Sequence, residues 1–176
     1  KNKNNIEAIK NLANIYYVNK NYRLSLEYCN NIIDIKKDYY LAYLLKGNIY
    51  YNLKNLKYAS DNYKKVLLYT KDNFTSLINL GNIYFMSNNY EIAIKYFKDC
   101  LLYYKDNKLA KNNLALIYYK IGNINESEKI YKSIIQIDKN DIKTHWNLLN
   151  NLPIIYENYE HINITRNKFK NQLNII

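Results

Sequence analysis

Residues Asn79-Leu80-Gly81-Asn82-Ile83-Tyr84-Phe85 decide how this chain is read, because nearly the same heptapeptide stands at three other places. The others are Asn11-Leu12-Ala13-Asn14-Ile15-Tyr16-Tyr17, Leu45-Lys46-Gly47-Asn48-Ile49-Tyr50-Tyr51 and Asn113-Leu114-Ala115-Leu116-Ile117-Tyr118-Tyr119. The copies begin at 11, 45, 79 and 113, so the offset is 34 residues each time, with no insertion. Self-similarity at such a fixed period is the signature of a repeat architecture. The units are 6–39, 40–73, 74–107 and 108–141. Residues 1–5 are read as the end of a preceding repeat or a linker, and 142–176 as a partial fifth repeat with a capping helix.

Each unit reads as two helices. In the first, apolar residues recur at spacings of three and four, as in Leu77, Leu80, Gly81 and Tyr84. A short polar turn follows, at Lys20-Asn21, Lys54-Asn55, Asn88-Asn89 and Gly122-Asn123. The second helix repeats the pattern, as in Tyr90, Ala93, Ile94, Phe97, Cys100 and Leu101. One helix pair cannot bury both its apolar faces, whereas stacked pairs can, and the result is a solenoid. Two positions stay small throughout. Ala13, Gly47, Gly81 and Ala115 lie on the first helices, and Ser25, Ala59, Ala93 and Ser127 lie twelve residues later on the second. Small residues at a crossing let two helices approach closely while aromatics fill in around them.

A small residue at position 8 of the unit, Tyr at 11, small at 20, aromatic at 24 and apolar at 27 resembles the tetratricopeptide repeat. The resemblance covers residues 6–141 and implies an all-α fold, a right-handed superhelical solenoid of antiparallel helix pairs. Position 32 departs from the family. It is Lys37, Lys71, Lys105 and Lys139 where the family usually has proline, so the turn loses proline's rigidity and the array is expected to be more flexible. Lys3 fits position 32 of a preceding unit, as if the chain began inside a longer array.

The resemblance also implies a concave groove lined by the first helices, mainly at positions 2, 5, 6, 9, 12 and 13. Position 6 reads Asn11, Leu45, Asn79, Asn113 and Asn147, and position 9 reads Asn14, Asn48, Asn82, Leu116 and Asn150. Eight of these ten are Asn, whereas 32 Asn in 176 residues would place about 1.8 there by composition. A carboxamide offers a donor and an acceptor, as a peptide backbone does, so such a row can grip an extended chain with little regard for its sequence. The same row also has a packing reading, because Asn is common at these positions in the family. Beside it run Tyr17, Tyr51, Phe85 and Tyr119, which could pack on ligand side chains or between neighbouring helices. The two-carboxylate clamp used by chaperone-tail members of the family is not matched. Lys10 and Asn14 fit its first part, but Leu45, Thr75 and Asn79 do not fit the rest.

Composition narrows the function classes. With 3 Gly and 1 Pro, the chain does not suit a turn-rich β fold or a Gly-rich phosphate loop. No apolar run is long enough to span a bilayer, so no membrane insertion is expected. The net charge is +11, but only Arg23 and Arg166 carry the guanidinium that forks onto phosphate. The charge is also dispersed: residues 40–73 carry six Lys against two Asp, and residues 74–107 balance. An RNA-binding helical repeat is therefore disfavoured. Cys29 and Cys100 sit in apolar helical patterns and read as core thiols, which suggests a reducing, cytoplasmic compartment. His145 and His161 lack metal-ligand neighbours, and no catalytic set or cofactor-binding motif appears. The expectation is a non-enzymatic interaction module, a scaffold or adaptor with a protein or peptide partner and no cofactor.

After the repeats, Pro153 should break a fifth first helix that begins near Thr144, and a last helix should run from about Glu157 to Leu173. The string Trp146, Leu149, Leu152-Pro153-Ile154-Ile155-Tyr156, Glu160, Ile162, Arg166 and Phe169 resembles the junction that follows the repeats in SPINDLY-like relatives of the O-GlcNAc transferases. That resemblance implies the alternative, a non-catalytic substrate-binding arm whose glycosyltransferase domain would lie beyond Ile176.

Overall fold

The computed structural model describes residues 5–152 and 159–173, and these form ten α-helices and no strand. The first helices of the units are α1 (Ile6–Val18), α3 (Tyr40–Asn52), α5 (Phe74–Met86) and α7 (Lys108–Lys120), and α9 (Ile142–Leu149) continues the series. The second helices are α2 (Tyr22–Ile35), α4 (Leu56–Tyr69), α6 (Tyr90–Tyr103) and α8 (Ile124–Ile137), and α10 (Tyr159–Leu173) ends the chain. The first helices begin at 6, 40, 74, 108 and 142 and helices α2, α4, α6 and α8 at 22, 56, 90 and 124, each 34 residues apart, so the period of the sequence is a period of the structure. The expected break at Pro153 and the start of the last helix near Glu157 lie outside the described residues.

Two local devices set the helix ends. The first is asparagine at the N-cap: the side chains of Asn5, Asn21, Asn55, Asn73, Asn89, Asn107 and Asn123 each accept a hydrogen bond from a backbone N–H in the first turn of the helix that follows. Asp141 does the same for α9, while Tyr39 makes no such bond for α3. The second is a left-handed residue before the cap: φ is +59° at Lys20, +60° at Lys54, +56° at Asn88 and +80° at Gly122. A Schellman pattern of backbone bonds accompanies it. Lys54 N–H donates to the Tyr51 carbonyl at 3.0 Å and Asn55 N–H to the Tyr50 carbonyl at 2.9 Å, with equivalents at Lys20-Asn21 and Gly122-Asn123.

The wider turns between units carry the lysines found where the family has proline. Each closes with a backbone bond across four residues, such as Tyr39 N–H to the Lys36 carbonyl at 3.1 Å and Asn107 N–H to the Tyr104 carbonyl at 2.9 Å. Side chains add ties. The Lys37 carbonyl accepts from the Tyr43 hydroxyl at 3.1 Å, and the Thr70 hydroxyl donates to Asp72 at 2.8 Å.

The chain forms two compact units, Lys1–Ser87 and Asn88–Ile176. In the first, helices α1 to α5 pack on their sequence neighbours. The small positions lie at the crossings: Ala13, Ser25, Gly47 and Ala59 are all buried, and the Ser25 hydroxyl donates to the Ala13 carbonyl at 2.8 Å, tying α2 to α1. In the second unit, Ala115, Tyr131, Ile134 and Leu148 form a core cluster across α7, α8 and α9. Lys108, at the start of α7, reaches Asp141 at 2.7 Å and Asp138 at 3.5 Å. Burial acts to raise the Asp141 carboxyl, but the hydrogen bonds from Lys108 and Thr144 outweigh it and hold the group below the usual carboxylate range. Helix α10 touches α9 and leaves all its described side chains at least partly exposed, Phe169 among the less exposed.

Candidate functional site

The residues expected to line a groove fall into distinct environments. Asn11 and Asn14 on α1 and Asn150 after α9 are exposed, whereas Asn48, Asn79, Asn82, Asn113 and Asn147 are half-buried. Asn150 turns back on its own helix, its amide donating to the Trp146 carbonyl at 2.8 Å. Tyr17, Tyr51, Phe85 and Tyr119 are all half-buried. Tyr17 packs at a tilt against Tyr22 on α2, with ring centroids 6.0 Å apart, and its hydroxyl accepts from the Asn52 amide at 3.1 Å. Tyr17 thus packs against α2 and reaches α3.

Two members of the Asn row work for the fold. Tyr63 on α4 is fully buried, and its hydroxyl donates to Asn48 Oδ1 at 2.8 Å while accepting from Asn79 Nδ2 at 2.8 Å. The phenol thus bridges α3 and α5 through one carboxamide on each. Burial raises its pKa, against a smaller opposing effect of the Asn79 bond. Each carboxamide commits one function to this bridge, and Asn48 keeps donor capacity while Asn79 keeps acceptor capacity.

One repeat earlier the same location is hollow. A cavity of about 250 Å³ opens between α1 and α3 in the first unit. Its floor is Ala13, Cys29 and Ile32, Leu41, Leu44 and Leu45 form its apolar side, and Lys10, Asn14 and Asn48 bring polar groups to it. Six of these residues (Lys10, Asn14, Leu41, Leu44, Leu45 and Asn48) occupy positions 2, 5, 6 and 9 of their units, where the groove was expected. Lys10 is hydrogen-bonded to Glu7. Cys29 is fully buried, and burial pushes its thiol up to about 12. Cys100, likewise buried, is pushed up to about 11. Neither thiol is in a disulfide, and among the described residues no group of His, Cys, Asp and Glu could hold a metal ion.

Sequence reasoning read Cys29 as a core thiol and Leu45 as a break in the Asn row, and did not single out Tyr63, Leu41 or Leu44. The signal for them was present at position 24, which reads Cys29, Tyr63, Phe97 and Tyr131. The single small residue there marks the hollow, and Leu45, which interrupts the Asn row, stands beside it.

The model of the tetratricopeptide repeat matches residues 84–152. The described helices have the fold of tetratricopeptide-repeat proteins. Among solved structures, the crystal structure of MamA superposes with a TM-score of 0.81 at 14% identity, covering 97% of this chain and 88% of that one. YrrB, described as a tetratricopeptide-repeat protein with an unusual peptide-binding site, gives 0.76 at 16% identity, covering 95% and 82%. The first tetratricopeptide domain of Spaghetti (RPAP3), solved with an HSP90 peptide of sequence SRMEEVD, gives 0.58 at 18% identity, covering 64% and 89%. At these identities the likeness is one of fold. No curated protein sequence matches the chain.

Proposed function

We propose that this tetratricopeptide-repeat chain is a protein-interaction module that holds an extended segment of a partner protein on the face of its first helices. The observation that carries this reading is the open cavity between α1 and α3, where apolar walls meet the carboxamides of Asn14 and Asn48 on the groove positions of the repeat. A concave site that is mostly apolar, with a few placed polar groups, is the usual form of a binding pocket. Asn11 and Asn14 add exposed carboxamides on α1 that match the donor–acceptor pattern of a peptide backbone. Peptide binding by structurally similar proteins, YrrB and the Spaghetti domain, supports the same reading.

As a scaffold or adaptor, the module needs no chemistry of its own. Its two buried thiols suit a reducing compartment. Residues 153–158 of the string that resembles the transferase junction lie outside the described residues.

The test is selection of binders to the 176-residue chain from a displayed library of random linear peptides, followed by titration of the enriched peptides against Asn11→Ala/Asn14→Ala. Each lost hydrogen bond should cost about 0.5–1.5 kcal/mol of binding. Selected peptides that bind the double variant as tightly as the parent, and compete with nothing on the first helices, would refute the proposal.

A further inference from the structure

The cavity in the first unit stands where the next repeat keeps a ring. Tyr63 fills the space between α3 and α5, touching Asn48 at position 9 and Asn79 at position 6. Thirty-four residues earlier the corresponding residues are Cys29, Asn14 and Leu45, and all three line the cavity. The chain therefore lacks the aromatic side chain at one place and replaces its position-6 hydrogen-bond partner with leucine at that same place. The two changes agree. Without a phenol hydroxyl to satisfy, an apolar Leu45 costs nothing there, and an Asn would lack its partner.

From this we infer that the cavity over Cys29 is a receptor for one apolar, ring-sized side chain of the bound polypeptide, which takes the place that Tyr63 holds in the next repeat. The inference rests on the peptide-binding reading above and specifies its anchor. The size suits the role, since an apolar cavity of about 150 Å³ already admits benzene, and this one is about 250 Å³ and open to solvent. Phenylalanine or leucine fits better than tyrosine, because Leu45 offers no partner for a hydroxyl. Charge sets the flanks: among the lining residues there is one ammonium, Lys10, and no carboxylate, in a chain of net charge +11. The occupant is accordingly an apolar anchor within an acidic extended segment, whose carboxylate shares Lys10 with Glu7. A buried anchor of this kind, surrounded by polar contacts, is where binding free energy concentrates.

The probe is the blocked tripeptide N-acetyl-Glu-Phe-Glu-amide, titrated into methyl-labelled protein and followed by NMR. The expected result is saturable shifts centred on the methyls of Ala13, Ile32, Leu41, Leu44 and Leu45. The analogue with serine at the centre should bind roughly tenfold or more weakly, and the analogue flanked by lysines about two- to fivefold more weakly. Cys29→Phe should fill the cavity from within and abolish the response. Leu41→Glu, at the half-exposed edge of α3, should abolish it without touching the floor. Unchanged probe binding by both variants, or shifts away from the cavity, would overturn the inference. If selected library peptides still bind the first helices while Cys29→Phe leaves their affinity unchanged, the anchor is wrong and the module stands. If no peptide engages the first helices at all, the module itself is wrong.

Discussion

The Cβ that Gly47 lacks would stand 2.7 Å from Cε1 of the Tyr63 ring. No real Cβ sits so close to a ring atom, and the ring cannot retreat, because it is fully buried and its hydroxyl is fixed to Asn48 and Asn79. Gly47→Ala should therefore destabilise the fold by about 1–3 kcal/mol through overpacking. Combining it with Tyr63→Leu should cost less than the sum of the two single changes, because the smaller side chain removes the clash. Chemical denaturation of the four proteins measures this coupling, and strict additivity would show that the contact does not set the helix separation.

Asn79 and Asn11 occupy the same repeat position but should answer differently to alanine. Asn79→Ala removes a hydrogen bond to a buried phenol and should cost about 0.5–1.5 kcal/mol of stability. Asn11→Ala, at an exposed site, should fall within about 0.5 kcal/mol of the parent. Equal melting temperatures for the two variants would contradict the structural role given to Tyr63.

Lys54 holds a left-handed backbone, φ +60°, at the turn that Gly122 makes with φ +80°. A side chain at such a position costs about 1 kcal/mol relative to glycine. Lys54→Gly should thus stabilise the protein by up to about 1 kcal/mol, and Gly122→Ala should destabilise it by a similar amount, both read from thermal melts. The Cβ of the alanine meets nothing within 4 Å, so the effect of Gly122→Ala would be purely conformational.

Cys29 and Cys100 are both buried, and Cys100, which does not line the open cavity, should react with a thiol reagent only after unfolding. Their folded-state pKa values, about 12 and about 11, lie above the ordinary thiol value near 8.5. An acid whose pKa is raised by folding contributes its full stability below the unfolded pKa and loses it as pH rises toward the folded one. Stability should fall above about pH 8.5, by up to about 1.4 kcal/mol per thiol per pH unit. Cys29→Ala/Cys100→Ala, less stable at neutral pH, should show a flatter alkaline limb, and identical limbs would argue against both burials.

The helix pairs were legible because the 34-residue period, the small crossing residues and the polar turns are all local, repeated signals. Residues such as Ala13, Ser25 and Ala59 announce close approach by size alone. The site was legible only as a set of positions. Asn48 and Asn79 look identical to Asn11 in sequence, and what separates them is a phenol that arrives from a different helix. The hollow over Cys29 depends on a comparison down one column of the repeat, where one missing ring signals an empty volume. The role of asparagine as helix cap, at Asn21, Asn55, Asn89 and Asn123, was likewise hidden in turns read only as polar.

The most direct test of the central claim, that the first helices form the binding face, is hydrogen–deuterium exchange of the chain with and without a saturating library-selected peptide. The account predicts slowed exchange in α1 and α3, including the segments that carry Asn14 and Leu41 to Asn48, with the outward turns of α2 and α4 unchanged. Protection confined to α2, α4 and the lysine-bearing turns at Lys37 and Lys71, with α1 and α3 exchanging as in the unbound chain, would contradict it.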